Sequence, residues 1–428
     1  MALRQPERVL VARRRVANRT NLIWLLAACA LIIRLALVIW AGNAPQTPLT
    51  GGSDTLAYQA LGDSLTEHRG LSYAGMPTAL RPPLYPLFLA AGQVVAGKDY
   101  RLLVRLIQLG VGVLMAFVCA RTSEAVGGAK SIASAAALAA PTLVFFSAEI
   151  LSETLAALIV SIFFFLVVTD RKASPVLTGV TIGLGMIERF NLAALAPVYV
   201  AYQIVAKKPS QAARNVALAG LAALAVVSPW FVRNLATFHG QVLYSTHTGT
   251  NLLQGLITPD GRTQAGDGDK LEAAAGWTIA DIETNEPSRA AYPPEPQLDR
   301  EAMKAALSQL PHVNVASLIL RKLGYFWLSF DQLYRTQSLG RQMRLVRYGG
   351  VVAYWLLLGL GVAGVMKFRV RNRDTAILFV AYAIIVTCMH LPFVMNTRIR
   401  APLMEPALAI LAGVALAPVA RNHSLAEP

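Results

Sequence analysis

Residues 22–41 read LIWLLAACALIIRLALVIWA, an apolar run interrupted by one charge, Arg34. A helix that crosses a bilayer needs about 20 mostly apolar residues. This run is long enough. Ahead of it lies a basic arm with Arg4, Arg8, Arg13, Arg14, Arg15 and Arg19. A cleaved signal peptide shares the basic start, but its apolar core runs only about 7–15 residues. The stretch is therefore read as an uncleaved first span. Arg34, toward its outer end, is expected to snorkel to the headgroups.

Nine further apolar stretches follow, near 101–120, 131–148, 151–169, 174–187, 191–206, 213–232, 348–366, 375–393 and 401–420; 174–187 is the shortest. The segment 82–97 (PPLYPLFLAAGQVVAG) is apolar, short and proline-rich, and reads as an interfacial or re-entrant helix. The whole composition agrees. A chain of 428 residues would make about three soluble domains. Yet charged residues are only 15% of it, against about 25% in soluble chains. Mean hydropathy is +0.48. The expected fold class is an all-α polytopic membrane protein of about ten spans, and a soluble enzyme or disordered binder is excluded.

The net charge of +15 takes its meaning from its placement. With the arm in the cytoplasm, ten spans put 121–130, 170–173, 207–214, 367–373 and the tail inside, all carrying Arg or Lys. The short outer segments hold only Arg189, Arg398 and Arg400. That is the positive-inside pattern, and it calls for no nucleic acid. Cys29, Cys119 and Cys388 lie far apart inside apolar stretches, with no disulfide framework or metal spacing. The chain divides into a cytoplasmic arm (1–21), a transmembrane core (22–232) with a first outer loop at 42–100, a long outer loop (233–347), C-terminal spans (348–420) and a cytoplasmic tail (421–428). In the long loop, 258–298 is rich in Gly, Pro and acids and suits a solvated loop. Residues 299–331 read as two helices. Met303, Leu307 and Leu310 share one face, and Ala316, Ile319, Leu320, Leu323, Trp327 and Phe330 another. The second helix looks interfacial.

The unusual polar groups fall at outer span ends. GGSDTLAYQALGDSL (51–65) puts Asp54 and Tyr58 four apart on one helical face. AEILSETL (148–155) does the same for Glu149 and Glu153. IERFN (187–191) brings Glu188 and Arg189, PWFVRN (229–234) brings Arg233 and Asn234, and NTRIRAP (396–402) brings Arg398 and Arg400. Carboxylates and arginines from five segments thus converge on one membrane face, as a membrane-surface active site requires. Each group alone has a plainer reading: Asp54 as a helix cap, Glu149 or Glu153 as a headgroup-level charge, Arg398 and Arg400 as anchors. The six histidines show no ligand spacing, and no metal site is expected. Asp267-Gly-Asp269 sits in a Gly-rich loop and reads as loop.

Together these segments resemble the GT-C glycosyltransferases, specifically the bacterial branch of glycosyltransferase family 39, akin to protein O-mannosyltransferases and the aminoarabinose transferase of lipid A. The matching elements run in order over most of the chain. They are Asp54-xxx-Tyr58, ALRPPLYPLFLA (79–90), Leu151-Ser152-Glu153, SPWFVRN (228–234), STHTGTNLLQG (245–255), DREAMKAAL…LRKLGYFW (299–327) and RIRAP (398–402). The mannosyltransferases carry an Asp-Glu pair in the first loop where this chain has Ser53-Asp54.

The resemblance implies a sugar donor on a polyprenyl phosphate and inversion at the anomeric centre. The acceptor would be a lipid, glycan or protein, and the enzyme would sit in the plasma (inner) membrane with no cofactor. Asp54 would be the general base, with Glu153, then Glu149, as the second carboxylate. Arg398 and Arg400, then Arg81, Arg189 and Arg233, would bind the donor phosphate. Tyr58, Tyr85, Asn234 and Asn251 would line the substrates. Two other classes remain: a transporter or flippase of a lipid-linked sugar, and a non-catalytic envelope-assembly protein.

Overall fold

The computed structural model describes residues 5–47, 53–73, 75–169, 172, 174–257, 295–328 and 341–418. Asp267, Asp269, Phe330 and the C-terminal tail lie outside that set. The described chain is helical apart from a two-strand hairpin, Ser72–Tyr73 with Met76–Pro77. The sixteen α-helices of the described chain are numbered in order. The first eight are α1 Gln5–Ala41, α2 Ser53–Thr66, α3 Leu84–Ala96, α4 Tyr100–Ala125, α5 Lys130–Leu138, α6 Pro141–Phe146, α7 Glu153–Thr169 and α8 Ser174–Glu188. The rest are α9 Leu195–Ala206, α10 Pro209–Thr237, α11 Thr248–Ile257, α12 Glu295–Gln309, α13 Val315–Trp327, α14 Arg341–Arg371, α15 Arg373–His390 and α16 Thr397–Ala415.

Each of the ten apolar stretches contains at least one helix. Among the described residues, five segments are long and apolar enough to cross a membrane: Asn21–Ala41, Leu84–Ala125, Pro209–Thr237, Tyr348–Phe368 and Arg373–His390. Glu153–Thr169, Ser174–Glu188 and Phe190–Ala206 are apolar but shorter. Large apolar side chains stand exposed along α1 (Leu25, Ile32, Ile39), α10 (Leu221, Leu224, Val232) and α14 (Val352, Leu356, Met366). Exposed patches of that extent suit lipid rather than water. The chain is a multi-pass membrane protein.

The centre of the bundle is α16, buried continuously from Arg400 to Val414. A helix enclosed on every side can be apolar all round. The α8–α10 pair shows how closely the helices approach. A Cβ on Gly179 would lie 2.2 Å from the Ala219 carbonyl, and one on Gly183 would lie 2.7 Å from Val226 Cβ. This is the small-xxx-small spacing that lets helix backbones meet in lipid.

Four expectations are corrected. Arg34 does not snorkel, since its side chain turns into the bundle and is 1% exposed. The stretch 131–148 is not one helix but two, broken at Ala139–Ala140 before Pro141. Proline cannot donate to the preceding turn, so the end of α5 is left with free carbonyls. Arg34 satisfies them, donating to the oxygens of Leu138 (2.8 Å), Leu143 (2.9 Å) and Ala137 (3.3 Å) and to Ser147 Oγ (2.7 Å). Buried Glu405 of α16 accepts from Leu143 N–H at 3.2 Å beside it.

The 258–298 stretch is not loop throughout, because α12 begins at Glu295. Pro296 sits where the first helical turn tolerates it. The Glu295 carboxylate accepts from Thr78 Oγ1 (2.9 Å), Thr246 Oγ1 (2.8 Å) and Ala79 N–H (3.3 Å).

Within 299–328 two helices form, α12 and α13, but the buried faces are not the ones the apolar spacing marks. On α12 the buried residues are Glu295, Pro296, Leu298, Ala302 and Ala306, while Leu307 and, just past the helix, Leu310 are exposed. On α13 they are Leu318, Lys322 and Phe326, while Leu320 is exposed. Lys322 faces in because acceptors wait there, the carbonyls of Leu391 (2.7 Å) and Phe393 (2.8 Å).

Candidate active site

Four helix ends and one loop meet at one end of the bundle. Asp54 lies in the first turn of α2, where an acid is favoured by the free N–H groups. Glu153 opens α7 and Arg189 follows α8. Arg398 lies in the first turn of α16, whose start is set by Asn396: its Oδ1 accepts from Ile399 N–H at 2.9 Å. Arg81 precedes Pro82-Pro83, and Pro83 caps the start of α3 with a helical backbone.

One guanidinium ties the carboxylates together. Arg398 donates through Nη1 to Asp54 Oδ2 and through Nε to Glu153 Oε1 at 2.6 Å. Arg81 Nη2 takes the other oxygen, Asp54 Oδ1. Arg189 Nη1 lies 2.9 Å from Glu153 Oε1 and donates to Ser152 Oγ at 3.1 Å. The Tyr58 hydroxyl meets Ser152 Oγ at 3.3 Å, and the Arg81 guanidinium stands 5.0 Å over the Tyr58 ring. Glu153 is wholly buried, whereas the Asp54 and Arg398 side chains keep 21% and 29% of their exposure. The lattice is thus reachable from outside. Burial alone would raise the Asp54 carboxyl, but Arg398 and Arg81 overcome it and hold Asp54 well below the usual carboxylate range. The same carboxylates push Arg398 further up. Three guanidiniums against two carboxylates leave a local net charge of about +1.

Asp54, Tyr58, Arg81, Glu153, Arg189 and Arg398 therefore come together. Tyr85 stands one layer behind, its ring 4.9 Å from Tyr58 and its hydroxyl donating to Gln108 at 2.6 Å. The remaining sequence-marked residues have other partners. Glu149 accepts from Thr47, beside Arg105, which binds the carbonyls of Ala148, Gly42 and Ala44. Arg400, two residues past Arg398 and so on another side of α16, donates to the Phe326 carbonyl at 3.0 Å and stacks 3.6 Å over Tyr354. Arg233 braces the carbonyls of Thr78 and Leu71, both at 2.8 Å. Asn234 holds those of Leu243 and Tyr244. Asn251 sits in α11, its backbone N–H bonded to the His247 carbonyl at 3.1 Å.

Ser152, quoted above only as part of Leu151-Ser152-Glu153, takes its place in three dimensions, where its hydroxyl meets Tyr58 and accepts from Arg189. Glu188 is fully buried beside Arg189, and neither of its carboxyl oxygens has a hydrogen-bond partner among the described residues. No group of three or more His, Cys, Asp or Glu among the described residues is placed to hold a metal ion.

No protein-family model matches the sequence, and no curated protein matches it. Solved structures do. The oligosaccharyltransferase of Archaeoglobus fulgidus, tethered to an acceptor peptide containing the NVT sequon, aligns with a TM-score of 0.52 at 15% identity. The alignment covers 92% of this chain and 49% of that one, so the chain spans about half the length of the oligosaccharyltransferase. The apo form of that protein gives 0.51 at 16% identity, over 92% and 50%. ArnT from Cupriavidus metallidurans bound to undecaprenyl phosphate gives 0.41 at 16% identity, over 93% and 78%. The helices are arranged in the GT-C fold.

Proposed function

We propose that the chain is an integral-membrane glycosyltransferase that moves a sugar from a polyprenyl phosphate to an acceptor hydroxyl, with inversion, at the extracytoplasmic face of the plasma membrane. The observation that carries this reading is the bridge from Arg398 to both Asp54 and Glu153, at the ends of apolar helices in a chain with the GT-C fold. The basic arm and basic inner loops support the orientation. The acceptor class, lipid, glycan or protein, is open.

The chemistry follows from the charges. The acceptor oxygen attacks the anomeric carbon, the bond from that carbon to the phosphate oxygen breaks, and its electron pair leaves on the phosphate. Arginines answer the growing negative charge there with forked hydrogen bonds. Asp54 takes the acceptor's proton. A carboxylate locked between two arginines is a weak base. The incoming phosphate supplies a competing anion, draws Arg398 or Arg81 to itself and frees an Asp54 oxygen. Donor binding and base activation are then one event.

The test is reconstitution with undecaprenyl-phosphate-linked sugars. The wild type is expected to release undecaprenyl phosphate in the presence of acceptor, and Asp54→Asn to stay folded and inserted but inactive. A donor moved across the membrane intact would instead mark a flippase, and full activity in Asp54→Asn would remove Asp54 as the base.

A further inference from the structure

Around Arg189 the ion-pair lattice leaves buried polar atoms unused. Besides the two Glu188 oxygens, Asn191 Oδ1, Glu153 Oε2 and His390 Nε2 have no hydrogen-bond partner among the described residues. They come from three separate elements: the turn after α8, the first residue of α7 and the last residue of α15. Arg189 links three of these residues and precedes Asn191 by two positions. It pairs with Glu153 at 2.9 Å and lies within electrostatic reach of Glu188 and His390. Buried polar groups are nearly always paired, so a cluster left open calls for an occupant.

The chemistry of the open atoms selects that occupant. Glu188, buried with no donor to it, takes the neutral form that both donates and accepts. His390 Nδ1 lies 2.6 Å from the Val386 carbonyl, which can only accept, so the proton is on Nδ1 and Nε2 is an acceptor. Asn191 Oδ1 and Glu153 Oε2 also accept. The set is rich in acceptors and suits a ligand that donates several hydrogen bonds. A phosphate, which accepts only, belongs with the arginines instead. Neighbouring hydroxyl groups on a sugar ring fit.

We infer that Glu188, Asn191, His390 and the free oxygen of Glu153 form a hydrogen-bonding subsite for the hydroxyls of the transferred sugar, with Glu188 deciding which sugar is accepted. This rests on the transferase reading above. Loss of the subsite is expected to weaken the sugar-bearing donor and leave the bare carrier untouched.

The experiment is equilibrium binding to the purified full chain of two probes: undecaprenyl phosphate, and the same carrier bearing a hexose or an amino sugar. The wild type is expected to bind at least one glycosylated carrier roughly tenfold or more tightly than the bare one, the scale of one or two buried hydrogen bonds. Glu188→Gln, neutral and still able to donate and accept, keeps most of that preference. Glu188→Leu loses it while binding the bare carrier as the wild type does. A wild type without preference, or a Glu188→Leu variant that retains it, overturns the subsite. A wild type that binds the bare carrier but shows neither preference nor transfer removes both readings. One that transfers sugar with Glu188→Leu unimpaired removes only this one.

Discussion

Arg398 donates to the carboxylate of Asp54 across 344 residues of sequence, joining the first turn of α16 to the first turn of α2. The same guanidinium reaches Glu153 through Nε, so its fork is used in two directions at once. A lysine has one compact charge and no fork. Arg398→Lys is expected to lower the rate of undecaprenyl phosphate release at least tenfold, about 1.4 kcal/mol in the barrier. Arg398→Ala is expected to lower it by about 10²–10³, the scale for loss of a group that stabilises developing charge. Single-turnover release measured on folded protein checks both. Equal rates for Arg398→Lys and wild type would mean that charge alone suffices.

Tyr58 separates hydroxyl from ring. Its hydroxyl meets Ser152 at a long 3.3 Å, whereas its ring carries Arg81 at 5.0 Å and packs edge-on against Tyr85. Tyr58→Phe keeps the ring and is expected to change transfer by less than about threefold. Tyr58→Ala loses the cation–π support and is expected to cost about tenfold through a misplaced Arg81. The KM for the donor and kcat, measured for both variants, decide it. A Phe variant as impaired as the Ala variant would place the hydroxyl in the chemistry.

These charged groups were legible in sequence for a physical reason. Asp54, Arg81, Glu153, Arg189 and Arg398 sit where apolar stretches stop, and charge at a span end is conspicuous against 15% charged residues overall. Their neighbours were not. Arg400 is as conspicuous as Arg398, yet the helical twist carries it to Phe326 and Tyr354. The burial of α13 was hidden because apolar spacing marks an amphipathic face without saying whether core or lipid covers it. Arg34 was misplaced because the break at Pro141, which creates its acceptors, lies more than a hundred residues away.

The Arg34 site makes its own prediction. Four acceptors from the α5–α6 break and Ser147 converge on its guanidinium, with Glu405 nearby. Arg34→Met removes the side-chain donor from the Ala137 and Leu138 carbonyls, leaves Leu143 to Ser147 Oγ (3.1 Å) and leaves Glu405 with less compensation. A loss of about 3–5 kcal/mol is expected, the scale for removing one partner from a buried charged network. Unfolding midpoints of the detergent-solubilised protein measure it. A snorkelling arginine would make the same substitution nearly silent, so a midpoint shift within error would return Arg34 to the headgroups.

Lys322 ties α13 to the segment that leads into Arg398, through the carbonyls of Leu391 and Phe393. Burial pushes its amine down from the ordinary 10.5 to about 8. The direction of the pH effect follows from which state holds the proton. Between about pH 8 and 10.5 the unfolded chain keeps the Lys322 proton and the folded chain has released it, so stability rises with pH through that window. Below about 8 both states are protonated, and the cost of burying the charge is present in full. Lys322→Met carries no such proton. The difference in unfolding midpoint, wild type minus Lys322→Met, is expected to be flat below pH 8 and to climb in favour of the wild type toward pH 10. A difference that stays level across that range would show that Lys322 keeps its ordinary proton affinity and that the two carbonyls hold its charge at no net cost.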